Sequence, residues 1–193
     1  MEKLQDIEMK INNEIEEGVF AISLVDNPAI EENFIKLSAE EVNLKILDEE
    51  RRIVVGFALV PDKRIYRRVK DKEFNIYFTK ETISKTQELF MKKLNLSNFT
   101  TDHNQEVQGV SVIESWIVED AKNDKSNLYN LGAKGGEWVL MSKIYNDDIW
   151  KEIKEGKFRG YSIEGKFDGF DELKQSDDRE ELMNEIKDFL RNA

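Results

Sequence analysis

At 193 residues and 22.6 kDa the chain has room for one domain with a real core, and two independent enzymatic domains are not expected. Its 29 Lys and Arg against 40 Asp and Glu leave a formal charge of −11, which repels phosphate backbones and anionic lipid and so disfavours nucleic acid or a membrane surface as partner. The absence of cysteine excludes disulfides, thiolate metal sites and a cysteine nucleophile, and the single histidine excludes any site that needs two. No apolar run approaches the roughly 20 residues of a membrane span and the first ten residues carry no secretory segment, so the reading is a soluble intracellular protein.

Residues 1–17 are charged, and Leu4, Ile7, Ile11 and Ile15 recur every three or four positions, which predicts a short amphipathic helix. An apolar strand follows from Gly18 and stops at Asn27-Pro28. Residues 51–68 are β-branched and apolar but interrupted at Gly56 and Pro61-Asp62, which predicts two strands about a turn or bulge. Phe74 to Phe78 reads as a strand, and Thr79 as the cap of a helix over 80–93 with Ile83, Leu89 and Phe90 near one face.

Strict alternation over 109–119 predicts a strand with Val112, Glu114, Trp116 and Val118 on one face and Ser111, Ile113, Ser115 and Ile117 on the other. Residues 120–136 read as a long surface loop. Residues 137–145 give another strand, and Asn146 caps a short helix that Gly156 closes. A glycine-containing strand over 157–167 comes next. In the acidic end, 171–193, Leu182, Ile186, Phe189 and Leu190 keep a helical stripe. Many strands among few helices, without regular βα alternation, predict an α+β fold with a mostly antiparallel, barrel-like sheet flanked by helices, over 18–170.

Two places carry candidate chemistry. His103 is the one side chain whose ordinary pKa lies near neutrality, and its neighbours Thr101, Asp102 and Asn104 are polar. Ser162 sits in Gly160-Tyr161-Ser162-Ile163-Glu164-Gly165, where a hydroxyl is an odd choice in an aromatic and β-branched strand. Glycines on either side let a peptide backbone approach, and backbone amides there could face an oxyanion. The spacing is not that of the G-x-S-x-G nucleophile elbow. Taken alone, a single histidine and a glycine-flanked serine are both more often structural than catalytic.

The ordered blocks GVFAISLVDNPAIEENF (18–34), VVGFALVPDKRIYRR (54–68), FNIYFTKETI (74–83), DHN (102–104), VIESWIVED (112–120) and EWVLMSKIYNDDIWKEIKEGKFRGYSIEGKF (137–167) resemble the tailed-phage prohead (procapsid) maturation proteases, which are related to the herpesvirus assemblins. The resemblance implies a serine endopeptidase in the host cytoplasm, inside the assembling procapsid, with phage scaffold and major capsid protein as substrates and self-cleavage as a further expectation. No cofactor or metal is implied, and a homodimer is implied by analogy alone.

Carried over by position, Ser162 looks like the nucleophile and His103 the general base. The assemblins use a second histidine, which this chain lacks, so a carboxylate must orient the ring. Glu114 is the first choice because related phage proteases carry an acidic residue there, with Glu164, Asp102 and Asp168 as alternatives. Gly160 and Tyr161 are candidates for shaping the oxyanion site and the substrate edge. A non-catalytic assembly protein of the same fold is the alternative function. The basic cluster of Lys63, Arg64, Arg67, Arg68 and Lys70 reads as a solvated hairpin before an acidic-peptide site. Tryptophans 116, 138 and 150 read as core, and Asp147-Asp148 as helix-start charge.

Overall fold

The computed structural model describes residues 4–26, 44–69 and 72–169. The acidic end and the segment after Asn27-Pro28 lie outside the described residues, and with them the predicted terminal helix. Among the described residues the chain forms eleven strands and three helices in three sheets, an α+β architecture dominated by β-structure. The sheets do not close into a barrel. Pairing is also mixed, since two of the strand pairs are parallel.

The first element corrects the helical reading. Gln5–Met9 is strand β1, with Ile7 and Met9 fully buried and Asp6 and Glu8 half-covered. That is a period of two, whereas Ile15, which the helical spacing needs on the same face, is 87% exposed. β1 pairs in parallel with β6 (Lys72–Phe78), and β5 (Ile65–Val69) completes that sheet on the other side.

The second sheet runs β3 (Lys45–Asp48), β4 (Ile53–Leu59), β10 (Trp138–Ile144) and β9 (Val110–Ile117). Gly56 does not interrupt β4. A Cβ there would come within 3.3 Å of the Tyr161 ring, so glycine is present for close packing rather than for a turn. The expected alternation of β9 holds only up to a bulge: Met141 pairs with Glu114 but Ser142 pairs with Val112, leaving Ile113 without a partner. Val110 and Val112 therefore enter the principal core together with Ile117, while Trp116 and Val118 pack on the opposite face of the sheet.

That opposite face is covered by the segment 120–136, which is not a free loop. A single-turn helix α2 (Lys125–Leu128) capped by Asp124 sits in it, and Tyr129, Leu131 and Ala133 pack on Val55, Phe57, Val139 and Met141. Buried Glu137 closes the segment by accepting the Lys134 and Gly135 amides at 2.7 Å each.

The third sheet carries the site. Its order is β11 (Gly160–Lys166), β2 (Gly18–Val25), β7 (Phe99–Thr101) and β8 (Gln105–Val107). Beyond β11, Lys10 and Asp168 exchange backbone hydrogen bonds of 2.7 and 2.9 Å, which join this sheet to β1. Helix α1 (Lys80–Lys92), capped by Thr79, lays Ile83, Leu89 and Phe90 on the core, with Phe90 meeting Trp138 edge-on at 5.2 Å. Helix α3 (Asp147–Lys154) is capped by Asn146, and Gly156 follows at φ +75°, as the left-handed C-terminal position requires.

Candidate active site

Three hydroxyl residues lie in one row across the third sheet. Ser162 on β11 is opposite Ser23 on β2, and Ser23 is in register with Thr100 on β7. Registered neighbours present their side chains to the same face, about 5 Å apart. Ser162, Ser23 and Thr100 are all buried, with Ser23 wholly so. Two residues along β11, still on that face because the register slips only after Glu164, stands Glu164 itself.

The imidazole arrives from the turn between β7 and β8. Thr101 pairs with Gln105, the Asn104 amide donates to the Thr101 carbonyl at 3.0 Å, and Asp102 and His103 have φ of +44° and +57°. Two successive positive φ values are the signature of the tight hairpin turn of type I′, where Asp, Asn and His are the non-glycine residues best tolerated. The turn is anchored from both sides. The Asp102 amide donates to the Leu24 carbonyl at 3.0 Å, and the His103 amide donates to Ser23 Oγ at 3.0 Å. The residue opposite Ser162 therefore holds the backbone of His103.

Glu164 closes the constellation. Its Oε1 lies 3.3 Å from His103 Nδ1 and also accepts from the Thr100 hydroxyl. The Glu164 side chain is 7% exposed and that of His103 is 16% exposed, so the contact is sheltered without being sealed. Burial pushes the Glu164 carboxyl upward, but the hydrogen bonds from His103 and Thr100 and the charge of the ring outweigh it, and the group is held below the ordinary carboxylate range. Glu164 is thus ionised at neutral pH. An ionised carboxylate only accepts, so its bond to the ring needs the proton on Nδ1, which leaves the lone pair on Nε2. An imidazole in that tautomer, held by Glu164 on the sheet face that also bears Ser162, carries the free lone pair that a general base needs.

Several expected participants are elsewhere. Glu114 does not meet the ring: beyond the bulge at Ile113 it faces the covering segment and pairs with Lys125, whose ammonium also lies 3.9 Å from the Trp116 ring centre. The carboxylate beside His103 is instead Glu164, one of the alternatives. Asp102 accepts from the Asp26 amide at 3.3 Å, and Asp168 from Asn12 Nδ2 at 2.6 Å. Tyr161 points to the opposite face of β11 from Ser162 and donates to Ser142 Oγ at 2.8 Å, with burial pushing its phenol well above the usual range. Its ring therefore packs the core under the site. Gly160 pairs with Val25 at the start of β11, two residues before Ser162.

In the basic cluster Arg64 bonds to Asp6 at 3.1 Å and lies 4.4 Å from the Tyr77 ring centre, both partners belonging to the first sheet. Thr100 and Ser23 were not singled out by the sequence. Small hydroxyl residues in strands are common, and only the register shows that these two flank Ser162.

Residues 41–171 match the family model described as "Putative phage serine protease XkdF", which covers more than half of the chain. The "Phage-like element PBSX protein XkdF" of Bacillus subtilis (strain 168) is 29% identical over 163 residues, 78% of this chain and 53% of the relative. The "Uncharacterized protein YqbD" of the same organism is 24% identical over 185 residues, 88% of this chain and 52% of the relative. The chain thus spans about half the length of the curated relatives it matches. No solved structure matches it.

Proposed function

The chain belongs to the family described as putative phage serine protease XkdF, and from that premise we propose that it is a serine endopeptidase of phage capsid maturation whose catalytic groups are Ser162, His103 and Glu164. The observation that carries the reading is the contact of 3.3 Å between Glu164 and His103, made on the sheet face that also bears Ser162. The Ser162 oxygen attacks the scissile carbonyl carbon as His103 Nε2 takes its proton. The same proton then goes to the leaving amine as the C–N bond breaks. Water, deprotonated by His103, hydrolyses the acyl ester and restores the serine. Glu164 stabilises the imidazolium formed in each half of the cycle and keeps the ring in its working tautomer.

Scaffold and major capsid protein segments are the proposed substrates, and the inside of the procapsid the proposed place of action. No helix among the described residues is long and apolar enough to cross a membrane. The test is incubation of the purified chain with the scaffold and capsid proteins of its own phage, following fragments by mass spectrometry. Cleavage by the wild type and none by Ser162→Ala or His103→Ala is expected. Undiminished cleavage by both variants would remove the assignment.

A further inference from the structure

Within the serine, histidine and glutamate reading of the site, we propose that Thr100 is a positioning residue for proteolysis: its hydroxyl holds the Glu164 carboxylate turned toward the ring of His103 and keeps that carboxylate charged. The Thr100 hydroxyl donates to the same oxygen, Oε1, that meets His103 Nδ1. A carboxyl group on a flexible side chain can rotate away from a single partner, but two donors converging on one oxygen from different elements fix its plane. Thr100 comes from β7 and His103 from the turn that follows, so one short hairpin supplies both donors while β11 supplies the acceptor.

Burial alone would favour a neutral Glu164, and a neutral carboxyl cannot stabilise an imidazolium. Thr100 contributes the second hydrogen bond that offsets burial, and it does so without introducing a charge that would compete with the ring. The groups facing Glu164 are consistent with this division of labour. From β2 the residue opposite is Ala21, with Ser23 further along. From β7 there is Thr100, and from the turn after it the ring of His103. Threonine also suits the position sterically, since its β-branch fits a strand and its hydroxyl can reach across the row.

The experiment uses the full chain labelled with 13C at the glutamate carboxyls, with the Glu164 signal identified by its absence in Glu164→Gln. Thr100→Val keeps shape and removes the donor; Thr100→Ser restores it; Thr100→Ala is a second donor-free variant if valine impairs folding. We expect the Glu164 titration midpoint to rise by about one pH unit or more in Thr100→Val and to return in Thr100→Ser. The rate constant for peptide cleavage should fall roughly tenfold or more with KM little changed. A midpoint that stays put in a folded donor-free variant overturns the proposal. If the midpoint moves while the wild-type chain cleaves nothing, the hold on Glu164 stands and the protease reading falls. If wild type and Thr100→Val cleave alike with an unmoved midpoint, the protease reading stands and the role of Thr100 falls.

Discussion

Glu164 Oε1 lies 3.3 Å from Nδ1 of His103, a carboxylate on β11 meeting an imidazole held in a left-handed turn 61 residues earlier in the chain. A carboxylate on the ring's inner nitrogen sets which nitrogen is free to act as base, so the charge of Glu164 matters more than its bulk. Glu164→Gln, which keeps the shape and loses the charge, is expected to lower the rate constant for peptide cleavage by about two to four orders of magnitude. Glu114→Gln, which disturbs only an exposed ion pair with Lys125, should leave the rate within about twofold. Steady-state kinetics on one peptide substrate checks both.

The same carboxylate makes stability depend on pH in a definite sense. Its folded pKa lies below the ordinary value of 4.5. The stability it contributes is therefore fully present above the unfolded value and is lost as pH falls through the lower folded one. Unfolding midpoints in urea, measured from neutrality down into the acid range, should decline below about pH 4.5 more steeply in the wild type than in Glu164→Gln. Parallel curves for the two proteins would contradict the hydrogen bonding assigned to Glu164.

Ser23 ties the strand opposite Ser162 to the turn that bears the base. Ser23→Ala leaves the half-buried His103 amide without its acceptor, which is expected to cost about 1 kcal/mol of stability by chemical denaturation. A slower cleavage rate should accompany the loss, because the two left-handed residues depend on surrounding hydrogen bonds to stay in that conformation.

Tyr161 offers the opposite expectation. Because its hydroxyl donates to Ser142 on the far face of β11, Tyr161→Phe should cost on the order of 1 kcal/mol in stability and leave the kinetics nearly unchanged. A loss of activity out of proportion to the loss of stability would return Tyr161 to the substrate-binding edge.

Much of the fold was legible where local signals agreed with tertiary demand. Thr79 and Asn146 cap α1 and α3, and the runs expected as strands at 74–78 and 137–145 fall in β6 and β10. The readings that failed did so for identifiable reasons. In residues 5–9 a helical spacing and a strand spacing shared the same isoleucine, and pairing with β6 selected the strand. At Ile113 one extra residue reversed the faces of β9, which no count of alternation reveals, and this sent Glu114 to the far side of its sheet.

For the site, Ser162 and His103 were readable as residue types. That Glu164 shares a face with Ser162 follows from the period of two along its own strand, whereas its meeting with His103 depends on how β11 and the turn after β7 are brought together. Thr100 and Ser23 depend on which strands become neighbours, and that information is nonlocal.

The most direct measurement of the central claim, that His103 activates the hydroxyl of Ser162, is covalent trapping with a serine-directed phosphonate followed by peptide mapping. The account predicts one adduct, on Ser162, formed by the wild type and reduced to the background rate in His103→Ala. An adduct that forms on Ser162 equally fast without the imidazole, or none at all on Ser162 in the folded wild-type chain, would contradict it.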